Sequence, residues 1–307
     1  MFMTEELTYH EPVLLNECLE GLRIQPDGVY VDVTFGGGGH AKAILEQLVE
    51  GRLFAFDQDA DAKPNAEAFA GDSFTLVEAN FRHLRRYLKV HGVTEIDGLL
   101  ADLGVSSHQI DSPERGFSTR FQCDLDMRMD HRSPLTAREV INAYSEAQLH
   151  RIFGMYGEVK NARTLAAAVV KERTRQRIDT VDELKQAIVK LAPRGKESKY
   201  LAQTFQALRI EVNDELKALE ELIEQAADLL RPGGRLVVMS YHSLEDRLVK
   251  NYIGKGKFSG EVEKDFFGNE IRPLQATSRN QPIVASEEEI KRNPRARSAK
   301  LRIAEKQ

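Results

Sequence analysis

Four consecutive glycines, Gly36, Gly37, Gly38 and Gly39, follow a β-branched run ending at Asp32, within residues 29–41, VYVDVTFGGGGHA. Backbone without side chains, placed between a buried strand and a helix start, lets a nucleotide-like group reach main-chain N–H donors. Asp57 closes a second apolar run, RLFAFD, and an acid at that remove from the glycines is the usual acceptor for ribose hydroxyls. A third acid, Asp102, ends DGLLAD and is followed by Ser106, Ser107 and Gln109, short polar groups at the same rim. Phe81, in EANF, stands where an aromatic ring could lie against a purine. Two cofactor classes satisfy this half-site. Gly36, Gly38 and Ala41 fulfil the GxGxxG/A dinucleotide fingerprint. The same residues suit S-adenosylmethionine, with the loop over its amino-acid part and Asp57 on its ribose. A dehydrogenase would also need a second mononucleotide half and a His or Tyr catalytic group, and no such set stands out.

These residues require strands that end where the acids lie. Apolar runs at 29–33, 52–57, 73–78 and 96–102 alternate with helically spaced segments such as 41–49 and 82–91, which predicts parallel strands joined by right-handed crossovers. From 113 to 212 helix formers dominate, and Thr180 with Glu183 has capping-box spacing. NDELKALEELIEQAADLL then predicts a long amphipathic helix, RPGGRLVVMS a fifth strand, SLEDRLVKNYI a further helix and SAKLRIAEK a last strand. The expected class is α/β: a Rossmann-like sheet interrupted after its fourth strand by an inserted helical domain, the class that an S-adenosylmethionine-dependent methyltransferase reading of the half-site would also require. Its parts are residues 1–112, the insertion 113–212, and 213–307.

The 307 residues are 41% hydrophobic and 30% charged, the balance of a soluble globular protein, and no apolar stretch is long enough for a membrane span. The segment MFMTEELTYHEPVLL lacks a basic start followed by an apolar region, so the expectation is cytoplasmic. Cys18 and Cys123 have no metal-ligand or disulfide-framework spacing. A formal charge of -5 argues against a polyanionic partner, but its distribution reverses the inference. Residues 113–212 hold 18 Lys and Arg against 13 Asp and Glu, in a chain with 43 and 48 overall, so a basic middle stands in an acidic frame. Lys171, Arg173, Arg175 and Arg177, with Arg295, Arg297, Lys300 and Arg302 near the C-terminus, are the candidate phosphate contacts.

HEPVLL (10–15), DVTFGGGGHA (32–41), DLGVSS (102–107), RGFS (115–118), LDMRMD (125–130), TFQALRIEVNDEL (204–216), LRPGGRL (230–236), YHSLEDR (241–247) and NPRARSAKLR (293–302) span nearly the whole chain. Together they resemble the MraW-type ribosomal RNA small subunit methyltransferase H family. The resemblance implies methyl transfer from S-adenosylmethionine to the exocyclic N4 of a cytidine in bacterial 16S ribosomal RNA, within the small ribosomal subunit. It implies cofactor contacts at Gly38, Gly39, His40, Asp57, Phe81, Asp102 and Gln109. No metal and no membrane partner are expected, and a homodimer is allowed for. The chain departs from the family between RGFS and LDMRMD, where residues 119–124 read TRFQCD in place of an aromatic followed by Asp-Gly-Pro, and at Ala60, where the family often has proline.

The amine of cytosine is a poor nucleophile whose lone pair is delocalised, and an acceptor for its hydrogens helps the nitrogen pyramidalise. Asp102, Ser240 and His242 are the candidates for holding it. Attack through ring carbon 5 would need a cysteine nucleophile, and none lies near Asp102 in sequence. Tyr241, Phe117 and Phe121 are candidate stacking platforms for an extruded base. A non-catalytic alternative is an RNA-binding or cofactor-sensing module built on the basic insertion.

Overall fold

The structure, a computed structural model, describes residues 12–69, 71–277 and 281–307. His10 and Glu11 of the HEPVLL block, and most of the N-terminal segment read for a leader, lie outside the described residues. Seven strands form one sheet: β1 (Val29–Asp32), β2 (Arg52–Asp57), β3 (Phe74–Glu78), β4 (Ile96–Asp102), β5 (Leu230–Ser240), β6 (Leu274–Ala276) and β7 (Lys300–Lys306). Their order is β3-β2-β1-β4-β5-β7-β6. The first five are parallel neighbours, and β7 runs antiparallel to both β5 and β6. The helices are α1 (Leu15–Leu22), α2 (Gly39–Leu45), α3 (Lys63–Ala66), α4 (Leu84–Val90), α5 (Ser107–Asp111), α6 (Ala137–Ala143), α7 (Glu146–Met155), α8 (Ala162–Arg173), α9 (Val181–Ile188), α10 (Glu197–Asn213), α11 (Glu215–Leu229), α12 (Ser243–Lys255) and α13 (Glu287–Arg292). No described helix is long and apolar enough to cross a membrane.

Strands buried on both faces read as continuous apolar runs, which is why the central ones were visible in the sequence. Phe54, Phe56, Leu99 and Val238 point to one face and pack with Leu84, Leu88, Leu222, Ile223 and Val249 from α4, α11 and α12. Leu53, Ala55, Leu100, Val237 and Met239 point to the other and meet Leu22 and Ile44 from α1 and α2. The alternation along each strand therefore builds two cores, one on each side of the sheet. The sequence did not predict β6: it is three residues long, with only Leu274 buried, too short to show a period.

The chain divides into two compact units, one of residues up to Gly104 with Lys217–Gln307, the other Val105–Leu216. The second unit thus begins at 105 rather than 113 and ends at 216 rather than 212. Its start is set by local bonds. Ser106 and Gln109 close a capping box on α5, and Arg120 donates to Asp111 at 2.8 Å. Arg115, fully buried, donates to the carbonyls of Arg128 and Met129. Thr136/Glu139, Ser145/Gln148 and Thr180/Glu183 close three more capping boxes, on α6, α7 and α9. The α6 to α10 helices enclose their own core around Ile141, Phe153, Leu165, Leu184 and Leu208. The RGFS, LDMRMD and RIEVND blocks meet here as one structural knot: besides the Arg115 contacts, Asn213 accepts from Met129 N at 2.7 Å and donates to the Met127 carbonyl at 2.8 Å.

Candidate active site

The strand order turns back between β1 and β4, and open α/β sheets bind ligands outside the carboxyl ends of strands at such a point. Asp32, Asp57 and Asp102 are the last residues of β1, β2 and β4. Thr34 ties two of them together. Its N–H and hydroxyl donate to Asp32 Oδ1 at 3.0 and 3.3 Å, and its Oγ1 accepts from Asp102 N at 2.7 Å. Asp57 shapes the glycine turn: Gly36 N donates to Oδ2 at 2.8 Å and Asp59 N to Oδ1 at 2.9 Å. Gly38 has φ +77°, and a Cβ there would fall 2.8 Å from the Phe69 ring, so both conformation and space require glycine. At Gly37 a Cβ would meet nothing within 4 Å. The turn therefore presents bare backbone to open space.

Burial dominates the electrostatics of the rim. It pushes Asp32 up to about 6, with proximity to His40 and the hydrogen bonds from Thr34 pulling the other way. Asp57 is also pushed up to about 6 by burial, against the lowering hydrogen bonds from Asp59 and Gly36. Asp102 rises to about 7 for the same reason, although the Tyr241 hydroxyl donates to its Oδ1 at 2.7 Å and draws it down. Its side chain keeps 25% of its surface exposed, so this acid remains reachable. His40 is buried and held below the ordinary histidine value by desolvation. Its Nε2 lies 3.2 Å from the Val13 carbonyl and its Nδ1 3.9 Å from Asp102 Oδ2. A neutral ring donating from Nε2 satisfies that carbonyl and leaves a lone pair on Nδ1.

This rim discriminates between the two cofactor classes. Asp32 Oδ2 is buried with no hydrogen-bond partner, beside two further desolvated carboxylates. A pyrophosphate would add negative charge where three acids already resist ionisation. A ligand carrying sulfonium and ammonium charge relieves them. The residues present fit S-adenosylmethionine, with Gly37 leaving room for it and Asp32, Asp57 and Asp102 offering acceptors.

The other sequence-selected residues fall into place unevenly. Phe81 opens a short 3-10 turn after β3 and packs partly against the core under β2 and β3. Gln109 belongs to the Val105–Leu216 unit, buried, where its side chain accepts from Ser106 N at 3.1 Å. Ser240 is buried at the end of β5, and its hydroxyl donates to the Lys300 carbonyl at 3.4 Å. His242 caps α12: its Nδ1 accepts from Glu245 N at 3.4 Å, and Glu245 in return accepts from Tyr241 N and His242 N. Tyr241 supplies its hydroxyl to Asp102 rather than a free ring face, which changes its part from platform to partner. Phe117 packs on the helical core beneath the Arg115 guanidinium, and Arg120 lies over Phe121. Among the cations, Arg302 and Lys300 pair with Asp246, so neither is a simple phosphate contact. Arg173 donates to the Ile141 carbonyl. Lys171, Arg175, Arg177 and Arg297 stay exposed, Arg177 pairing with Asp179 at 2.7 Å and Arg175 with Glu172 at 3.9 Å across solvent, pairs an RNA phosphate would have to compete with. Sequence reasoning missed Thr34 and the Asn80–Gln58 bond that joins the ends of β3 and β2. DVT and EAN carry no signal that separates such partners from ordinary loop residues.

Residues 7–307 match the MraW methylase family. A protein of Cytophaga hutchinsonii named ribosomal RNA small subunit methyltransferase H is 58% identical over 97% of this chain and 100% of its own length. A Bacteroides thetaiotaomicron protein of the same name is 54% identical over 98% of this chain and 99% of its own. Among solved structures, a putative rRNA-methylase from Clostridium thermocellum aligns over 97% of this chain and 99% of its own, at 13% identity and a TM-score of 0.43. With a match over nearly its whole length and an acid rim suited to a cationic methyl donor, the chain belongs to the MraW methylase family of S-adenosylmethionine-dependent methyltransferases.

Proposed function

We propose that this enzyme methylates the exocyclic N4 of a cytidine in 16S ribosomal RNA, presented within the small ribosomal subunit, with the basic segment 113–212 recognising that substrate. The observation that carries the reading is Asp102: a carboxylate at the carboxyl end of β4, raised to about 7, partly exposed and oriented by Tyr241. With the cationic cofactor bound, this carboxylate is ionised at neutral pH, so it can accept a hydrogen bond from the target amine and, as the nitrogen becomes cationic on methylation, take its proton.

S-adenosylmethionine supplies an electrophilic methyl on a positively charged sulfur. Every other requirement falls on the chain. Asp102 accepts from N4–H, so that the nitrogen lone pair turns out of conjugation toward the methyl carbon. As the N–C bond forms and the C–S bond breaks, the proton on nitrogen passes to the Asp102 carboxylate and then to solvent. Tyr241, whose phenol is pushed well above its ordinary value by burial and by Asp102, stays protonated and keeps donating. Glu245 holds the Tyr241 amide at 2.9 Å and so fixes where that phenol lies. Ser240 and His242, committed to the Lys300 carbonyl and to the α12 cap, support the site's backbone instead of holding the amine. Gly38, Gly39, His40, Asp57, Phe81, Asp102 and Gln109 remain the proposed cofactor contacts.

The test is transfer of labelled methyl to small ribosomal subunits, followed by mass mapping of the modified nucleoside. Label on cytidine N4 that Asp102→Ala abolishes at saturating cofactor is the expected result. Label on carbon 5, or full transfer by the variant, would overturn it.

A further inference from the structure

Away from the acid rim, a hairpin of residues 263–271, EKDFFGNEI, holds the two most exposed large apolar side chains among the described residues, Phe266 at 99% and Phe267 at 85%. Its geometry is fixed. Ile271 N donates to the Glu263 carbonyl, Asp265 N to that of Asn269 and Gly268 N to that of Asp265, at 2.8, 2.8 and 3.0 Å. The Asp265 carboxylate accepts from Phe267 N, Asn269 N and Asn269 Nδ2. Phe258, five residues before the hairpin, packs on Tyr252 of α12 with ring centroids 4.9 Å apart and accepts from Asn251 at its carbonyl, and Lys257 Nζ donates to Glu263 at the hairpin base at 3.0 Å. At the tip the two rings stand 5.7 Å apart and perpendicular, at 88°, with faces open to solvent.

Size and charge decide what such a tip suits. Two phenylalanines bury at most about 500 Å², short of the roughly 800 Å² per partner of a standard protein interface. One aromatic face, by contrast, is enough for one base. Lys255, Lys257, Lys264 and Arg272 are matched by Glu261, Glu263, Asp265 and Glu270, so the segment has no net field with which to hold phosphates or an anionic lipid surface. We propose that Phe266 and Phe267 form a stacking platform for unpaired bases of the ribosomal RNA substrate. This rests on the RNA methyltransferase reading above and adds a contact outside the reacting centre.

The test uses the full chain and 16S RNA or small subunits. Phe266→Ala with Phe267→Ala raises the RNA Kd and KM about tenfold or more, and leaves kcat at saturating RNA and the S-adenosylmethionine Kd within about twofold. The salt slope of RNA binding stays unchanged, because no charge is removed. The Tyr pair at the same positions restores binding and the Leu pair, equally apolar but without a π face, does not. Wild-type binding by the Ala or Leu pair overturns the proposal. So does phenylalanine-dependent sedimentation with phosphatidylglycerol vesicles, or with a ribosomal protein in the absence of RNA. Methyl transfer that is indifferent to the two phenylalanines sinks the platform alone, whereas a wild-type enzyme that transfers no methyl to RNA sinks the reading beneath it.

Discussion

Lowering the pH tests the rim more sharply than any substitution, because its three acids already lie displaced from their ordinary value of 3.8. A cationic cofactor favours their ionised forms and draws each pKa back toward that value on binding. Affinity is then greatest above the raised values and is lost as the pH falls through them. Between about pH 7.5 and about 5.5, a group at 6 weakens binding ~4-fold and a group at 7 ~25-fold, from the protonated fraction of the free protein at each pH. Asp102 raises Asp32, so those two do not titrate independently, and a combined effect of ~100-fold is expected rather than the full product. Calorimetry with S-adenosylmethionine in two buffers of different ionisation heat reads the same linkage directly: about one proton is released per cofactor near pH 6.5. Asp102→Asn removes the larger share of the dependence. Tyr241→Phe removes a donor that lowers Asp102, and so moves the midpoint to higher pH. A Kd flat across this range, or proton uptake in place of release, would refute the assignment of these acids to the cofactor.

Three further outcomes follow from the same geometry. Asp32, whose folded pKa is raised to about 6, contributes stability that is present below 3.8 and lost as the pH rises through 6. Asp32→Asn therefore raises the melting temperature at pH 8 by an amount equivalent to ~1–3 kcal/mol and leaves it little changed near pH 4, while weakening cofactor binding. Thermal melts at the two pH values check the sign. Gly38→Ala destabilises the fold by ~1–2 kcal/mol through its left-handed backbone and the Phe69 contact, whereas Gly37→Ala melts like wild type but raises the cofactor Kd about tenfold by placing a methyl where the turn is bare; equal melting temperatures for the two variants would contradict this. Replacing Lys171, Arg175 and Arg177 by Gln lowers the slope of log K against log salt for RNA by about 2, near 0.7 per single-strand phosphate contact. An unchanged slope in filter binding would remove the end of α8 from the RNA interface.

What the sequence disclosed, and what it withheld, divides along one physical line. Strand ends were legible because a parallel strand covered on both faces must be apolar along its length, so Asp32, Asp57 and Asp102 mark the points where the apolar runs stop, although Asp32 is itself buried. Glycine at 36–39 was legible for a related reason, since positive φ and close packing leave few alternatives at Gly38. Pairing was not legible, because a partner is chosen by the fold and not by spacing. Arg302 reads as a free cation in NPRARSAKLR, yet Asp246, 56 positions earlier, accepts from its Nε at 2.7 Å. Tyr241 reads as an aromatic platform, yet its hydroxyl is held by an acid 139 positions away. Thr34 reads as one more β-branched residue, although its hydroxyl accepts from Asp102 N and ties the ends of β1 and β4 together at the rim. A motif therefore counts more available charge and more open rings than the folded chain retains. Two of the corrections lead toward the same place: Tyr241 on the carboxylate and Thr34 on the amide narrow the freedom of Asp102, and an acceptor must be confined in that way before it can turn an amine toward a methyl group.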